Sequence, residues 1–300
     1  MHDKLPTGAG NKTSPEGTNF QGFPELAKVV SNLVNANNVP ETNVSKYLQK
    51  YDELLRTMYG DKFSEMISKM EEVLRGLPIT HSTHIDKLDS ILVEGLKSYK
   101  GRGTNSYAGS GIFKFDHQYG LDRFVFAKIG VCPPYGEEAG RVTILMDDGV
   151  LDMDGFFTFY DLTGFLLASE RRDIYQPDPY ADRIRKQYPE SKLSNRAIYQ
   201  ILARTFLVNR KGLDDFFKID FDGFPPALDP DFEHTNGGSP EIKLPQVSPK
   251  HFIGFAVGNN EIKEQLMQKG IPSNKILVIK KGMNVKKILY EFNTHKQGNV

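Results

Sequence analysis

At Gly76 the spacing of apolar residues changes, and that change limits the folds open to this chain. Before it, apolar side chains recur every three to four residues. Leu26, Val29, Val30 and Leu33 do so within 24–37; Val44, Leu48, Tyr51, Leu54 and Leu55 within 41–59; and Phe63, Met66, Ile67, Met70 and Leu74 within 62–75. This period gives a helix one apolar face, so it predicts three helices. After Gly76 come short apolar runs bounded by loops, at 79–82, 111–115, 124–131, 141–146, 241–245, 252–257 and 275–279, each of strand length. Helical stretches at 85–94, 194–205, 259–268 and 284–292 interrupt the runs at irregular intervals. Without regular alternation of strand and helix, the expected class is α+β with a mixed or antiparallel sheet. The expected organisation is a mobile Gly/Thr/Pro/Asn-rich leader over 1–22, an N-terminal helical subdomain over 23–76 and a main domain over 77–300.

The charges do not point to a partner. Lys plus Arg number 38 and Asp plus Glu 38, so no global field steers the chain toward nucleic acid or an anionic membrane, and a charged ligand must be held locally. The one cysteine, Cys132, cannot form an internal bridge, and its place at the end of an apolar run is that of a buried thiol. No stretch is long and apolar enough to span a bilayer, and the polar N-terminus lacks a signal-peptide pattern, so the expectation is a cytoplasmic protein without membrane insertion. Specialised export or delivery into another cell leaves no mark readable here. Two insertions stand apart: 171–192, highly charged and expected to be a solvated excursion, and 221–240, a Pro/Gly-rich loop carrying Phe224, Phe232, Glu233 and His234.

The stretch THSTHIDKLDSILVEGL (80–96) combines two histidines with a helix. Thr83 is the expected cap, with Asp86 at the third helical position. Ile85, Leu88, Ile91 and Leu92 form the buried face, and Gly95 ends the helix. His81 and His84 lack the HExxH arrangement, and no nearby cysteine or carboxylate completes a metal site, so no metal is expected.

Taken with two later segments, this stretch resembles the ADP-ribosyltransferase superfamily of the His-aromatic-Glu type. His81-Ser82-Thr83 followed by Leu88, Ile91, Leu92 and Gly95-Leu96 is similar to the family's first motif, H-x-T at a strand end and a helix finishing in Gly-Leu. The H-x-T-H form is particularly similar to DarT-type toxins and RNA 2'-phosphotransferases. Gly109-Ser110-Gly111-Ile112-Phe113 resembles the second motif of poly-ADP-ribose polymerase catalytic domains, with Phe113 where they carry tyrosine. Ser239-Pro240-Glu241-Ile242-Lys243-Leu244 is similar to the last motif, a catalytic glutamate at a strand start. The resemblance spans about 79–280.

The resemblance implies a split, mixed or antiparallel β-sheet core and an NAD-consuming glycosyltransferase of toxin or effector type. It implies that Glu241 is the catalytic carboxylate and that His81 orients the adenosine-side ribose. Ser82 would hold the nicotinamide amide through its backbone, and Thr83 would fix the strand end. Gly111 and Phe113, with Phe124 or Tyr119, would form the flat walls of the nicotinamide slot. Arg102, in the basic run 97–103, suits the pyrophosphate by its planar fork, and a solvated loop is the equal alternative.

The expected function is mono-ADP-ribosyl transfer, with NAD as co-substrate, to a protein or nucleic-acid acceptor. Arginine is less favoured as the modified residue, because Ser239 stands where arginine-specific members often carry Gln or Glu. Alternatives are an NAD-dependent RNA 2'-phosphotransferase, against which the zero net charge argues, and an inactive NAD-binding or interaction module.

Overall fold

A computed structural model describes residues 41–102, 121–130, 140–158, 194–210, 214, 241–280 and 283–297. The leader, the helix expected at 24–37, the strand expected at 111–115, Cys132 and both insertions lie outside these residues, as do Gly111, Phe113 and Tyr119. Of Arg102 only the backbone is described.

Helices α1 (Glu41–Tyr59) and α2 (Phe63–Arg75) form where the three-to-four spacing predicts them, joined by a 3-10 turn at Gly60–Lys62. Both pack on α4 (Ile198–Arg210), which comes from far along the chain. Leu55, Ile67, Met70 and Leu74 join Ile198, Ile201, Leu202 and Phe206 in one apolar cluster that continues into Ile79, Ile129 and Ile144. Helices α1 and α2 therefore share one core with α4 and one face of the sheet. Arg75 stacks its guanidinium 4.7 Å over the ring of Tyr199. Burial, and secondarily Asp148, pushes the Tyr199 phenol well above its ordinary value, while Arg75 opposes the shift; the hydroxyl stays neutral at physiological pH.

Polar contacts fix the same packing. Arg204 donates from Nε to Asp52 Oδ1 of α1 at 2.7 Å and from a terminal nitrogen to Glu71 Oε1 of α2 at 3.4 Å. Its side chain is only 13% exposed, so these charge-assisted bonds are poorly screened by water. Arg204→Ala is expected to cost about 1–3 kcal/mol in urea unfolding. Asp52→Ala should then cost less in the Arg204→Ala background than alone, as a double-mutant cycle would show.

Nine strands follow among the described residues: β1 (Ile79–His84), β2 (Leu96–Lys97), β3 (Val125–Ile129), β4 (Arg141–Met146), β5 (Phe156–Thr158), β6 (Glu241–Leu244), β7 (Gln246–Val247), β8 (Phe252–Val257) and β9 (Ile276–Val278). Seven form one sheet in the order β5-β6-β3-β1-β4-β8-β9, antiparallel throughout except for the parallel pair β8 and β9. Strands β2 and β7 make a separate antiparallel pair. The class is α+β with a mixed sheet.

The sheet forks at β1. Strand β1 pairs with β4 along six residues, from Ile79 opposite Met146 to His84 opposite Arg141. With β3 it pairs only at Ile79 with Ile129 and Thr80 with Lys128, after which β3 continues alongside β6. One face of the sheet carries Val142, Ile144 and Met146 into the large core; on the other, Leu145, Ala256 and Leu277 meet Ile288 and Phe292 of α6 (Val285–Gln297). Helix α5 (Asn260–Gln268), capped by Asn259 Oδ1 accepting from Ile262 N at 2.9 Å, adds Ile262 and Leu266 to the large core.

The helix start after β1 differs from expectation. Thr83 does not cap it, because Thr83 remains in the β1 ladder opposite Val142. His84 is the capping residue, its Nδ1 lying 3.4 Å from the Asp86 backbone nitrogen and 3.0 Å from the Asp86 carboxylate. A 3-10 turn at Ile85–Lys87 then leads into α3 (Leu88–Glu94). Gly95 ends α3 as predicted, with φ at 81°, and a Cβ there would clash with the Val247 carbonyl oxygen. Gly95→Ala is expected to lower stability by about 1–3 kcal/mol, read as a fall in the thermal midpoint. An unchanged midpoint would mean that the β7 approach is not tight in solution.

Candidate functional site

Strand β6 reads Glu241-Ile242-Lys243-Leu244, and the alternation of a strand divides it into two pairs. Ile242 and Leu244 enter the large core, which leaves Glu241 and Lys243 together on the other face. β6 is flanked on both sides. Lys243 stands opposite Phe126 of β3 and Phe156 of β5, and Glu241 opposite Thr158 of β5.

Lys243 is fully buried, and its ammonium is surrounded by acceptors and rings. Nζ lies 2.9 Å from Glu241 Oε2, donates to Thr158 Oγ1 at 2.7 Å and reaches back to the Glu241 carbonyl at 3.4 Å. The Phe126 and Phe156 ring centroids stand 6.0 and 5.9 Å away, at the outer range of cation–π attraction. Phe124 extends this aromatic wall, meeting Phe156 edge-on with centroids 5.5 Å apart. Glu241 is the outward member of the ion pair: its side chain keeps 8% exposure against none for Lys243. A lone carboxylate or ammonium at such depth would be costly, and the pairing offsets that cost.

His81 approaches this cluster from β1. Its Nδ1 is 2.7 Å from the Phe126 carbonyl oxygen, just past the last β1–β3 ladder pair. A carbonyl only accepts, so Nδ1 carries a proton in this bond. His81 and Glu241 thus come from the two strands flanking β3 and are linked through Phe126 and Lys243. Pleat alternation assigns His81 to the face of its partner Ile144 and Glu241 to the opposite one. The two are linked across the fork and are not neighbours on one surface.

Of the other residues singled out from the sequence, Phe124 joins the cluster. The Ser82 hydroxyl turns the other way, toward β4, and sits 3.3 Å from Thr143 Oγ1. Thr83 holds its strand end through the β4 ladder; among the described residues its hydroxyl makes no hydrogen bond. Sequence reasoning missed Lys243, Thr158, Phe126 and Phe156. One signal was present: Glu-x-Lys within an apolar strand puts both charges on one face.

Chemically, the arrangement offers an ionisable carboxylate held by a buried cation, flat apolar walls beside it and an imidazole at the fork. It suits stabilisation of developing positive charge and stacking of an aromatic ring. Among the described residues, no group of three or more His, Cys, Asp or Glu side chains could hold a metal ion, and no helix is long and apolar enough to cross a membrane. No protein-family model and no curated protein matches the chain.

Proposed function

We propose that this chain is a mono-ADP-ribosyltransferase that cleaves NAD and passes ADP-ribose to a protein or nucleic-acid acceptor. The observation that carries the reading is the Glu241 carboxylate at the start of β6, held by buried Lys243 beside the Phe124–Phe156 wall. Its motif support is the ordered resemblance of the His81, Phe113 and Glu241 segments to that superfamily, whose sheet is split as this one is forked.

The reaction breaks the bond between the nicotinamide nitrogen and the ribose carbon. Nicotinamide leaves with the bonding electrons, and the ribose becomes oxocarbenium-like until the acceptor nucleophile attacks. Glu241 accepts a hydrogen bond from a ribose hydroxyl, so its negative charge faces the developing positive charge, and it takes up the acceptor's proton. Phe124 offers a stacking surface to the departing ring, a role that needs no phenolic hydroxyl.

The test is incubation with NAD labelled in its ADP-ribose half, with lysate protein and with nucleic acid supplied separately. The expected result is nicotinamide release together with label fixed to one acceptor class. No nicotinamide release with either would overturn the reading. Release of an ADP-ribose cyclic phosphate from 2'-phosphorylated RNA would identify a phosphotransferase instead.

A further inference from the structure

We propose that Lys243 is a positioning residue that sets the direction of the Glu241 carboxylate, with Thr158 as the anchor that sets Lys243. The proposal rests on the reading of Glu241 as the catalytic carboxylate. Three features of the geometry support it.

The first is depth. Lys243 is completely buried while Glu241 keeps a small exposure, so Lys243 stands behind the carboxylate and acts through it. The second is the number and spread of contacts. Nζ donates to Thr158 Oγ1 at 2.7 Å and to the Glu241 carbonyl at 3.4 Å, and its charge stands 2.9 Å from Glu241 Oε2. With Phe126 and Phe156 on either side, the ammonium has little room to swing. The third is energetic. A buried ion pair gives little net stability compared with apolar side chains of equal volume, so stability alone is a poor reason for charges at this depth. A carboxylate fixed before substrate arrives needs no reorganisation in the transition state, and that is where a held cation is useful.

Thr158 provides the discriminating variants, because its hydroxyl accepts a hydrogen bond from Lys243 Nζ at 2.7 Å. Thr158→Val removes the anchoring oxygen at nearly constant volume, and Thr158→Ser retains it. Steady-state nicotinamide release by the full chain is measured for Thr158→Val, Thr158→Ser, Lys243→Met and Glu241→Gln, with thermal melts to establish folding. Lys243→Met is expected to lower kcat by about 10- to 100-fold with KM for NAD nearly unchanged. Thr158→Val should lower kcat in the same direction by less, and Thr158→Ser should restore it.

Folded Lys243→Met with wild-type kcat would overturn the proposal. Should Lys243→Met not fold, the threonine pair decides: wild-type kcat in Thr158→Val overturns it, and loss with rescue by serine supports it. Wild-type rates in Glu241→Gln would sink the functional reading itself and the proposal with it. An inactive Glu241→Gln beside unaffected Lys243 and Thr158 variants would sink the positioning role alone.

Discussion

A chain lacking residues 1–76 is expected not to fold. Tyr51, Leu55, Ile67, Met70 and Leu74 are buried in the full chain, and all five lie in α1 and α2. At about 1.5–3 kcal/mol for each buried side chain, their loss amounts to about 10 kcal/mol. That is of the same order as the whole stability of a typical domain, about 5–15 kcal/mol. The deletion also strips the cover from Ile198, Leu202 and Phe206 on α4. The truncated protein should show no cooperative thermal transition by circular dichroism and should bind a hydrophobic dye. A cooperative melt near that of the full chain would contradict the shared core.

Glu241→Gln is expected to lower nicotinamide release from NAD by about 100- to 10,000-fold. Glutamine keeps the shape of the side chain but neither opposes positive charge on the ribose nor takes a proton from the acceptor. The substitution also leaves Lys243 buried beside a neutral group, which should destabilise the protein by about 3–5 kcal/mol. The double variant Glu241→Gln/Lys243→Met separates the two losses: its melting should recover most of the deficit, while its activity should stay as low as that of the single variant. Recovery of activity in the double variant would mean that the single substitution acted through unfolding.

The long elements were legible in the sequence. Helix α1 spans 41–59, β4 spans 141–146 and β8 spans 252–257 as the apolar spacing predicted, because each pattern is sustained and ends at turn residues. Short pieces were not. Strand β5 has three residues and β2 and β7 two each, too few for any period to show; they exist because distant segments offer them a ladder. Helix α4 runs past Thr205, where its expected stretch ended, since the Thr205 hydroxyl donates back to the Ile201 and Leu202 carbonyls and is satisfied within the helix. The Thr83 cap failed for a tertiary reason, the β4 ladder that keeps β1 extended to His84.

The candidate site was legible in part for the same reason. His81 and Glu241 could be picked out by local motif, but the side chains that connect them could not. Phe126, Phe156 and Thr158 acquire their roles from cross-strand register, which is set by pairs of residues far apart in the chain. Lys243 was half visible: its two-residue spacing from Glu241 fixes a shared face. Its complete burial depends on β3 and β5 closing over it from both sides.

The most direct test of the central claim is mass spectrometry of a lysate exposed to the protein and NAD, beside the same lysate treated with Glu241→Gln. The account predicts an ADP-ribose adduct on a protein or nucleic-acid acceptor with wild type and none with the variant. Consumption of NAD without any adduct, or equal adducts from both proteins, would contradict it.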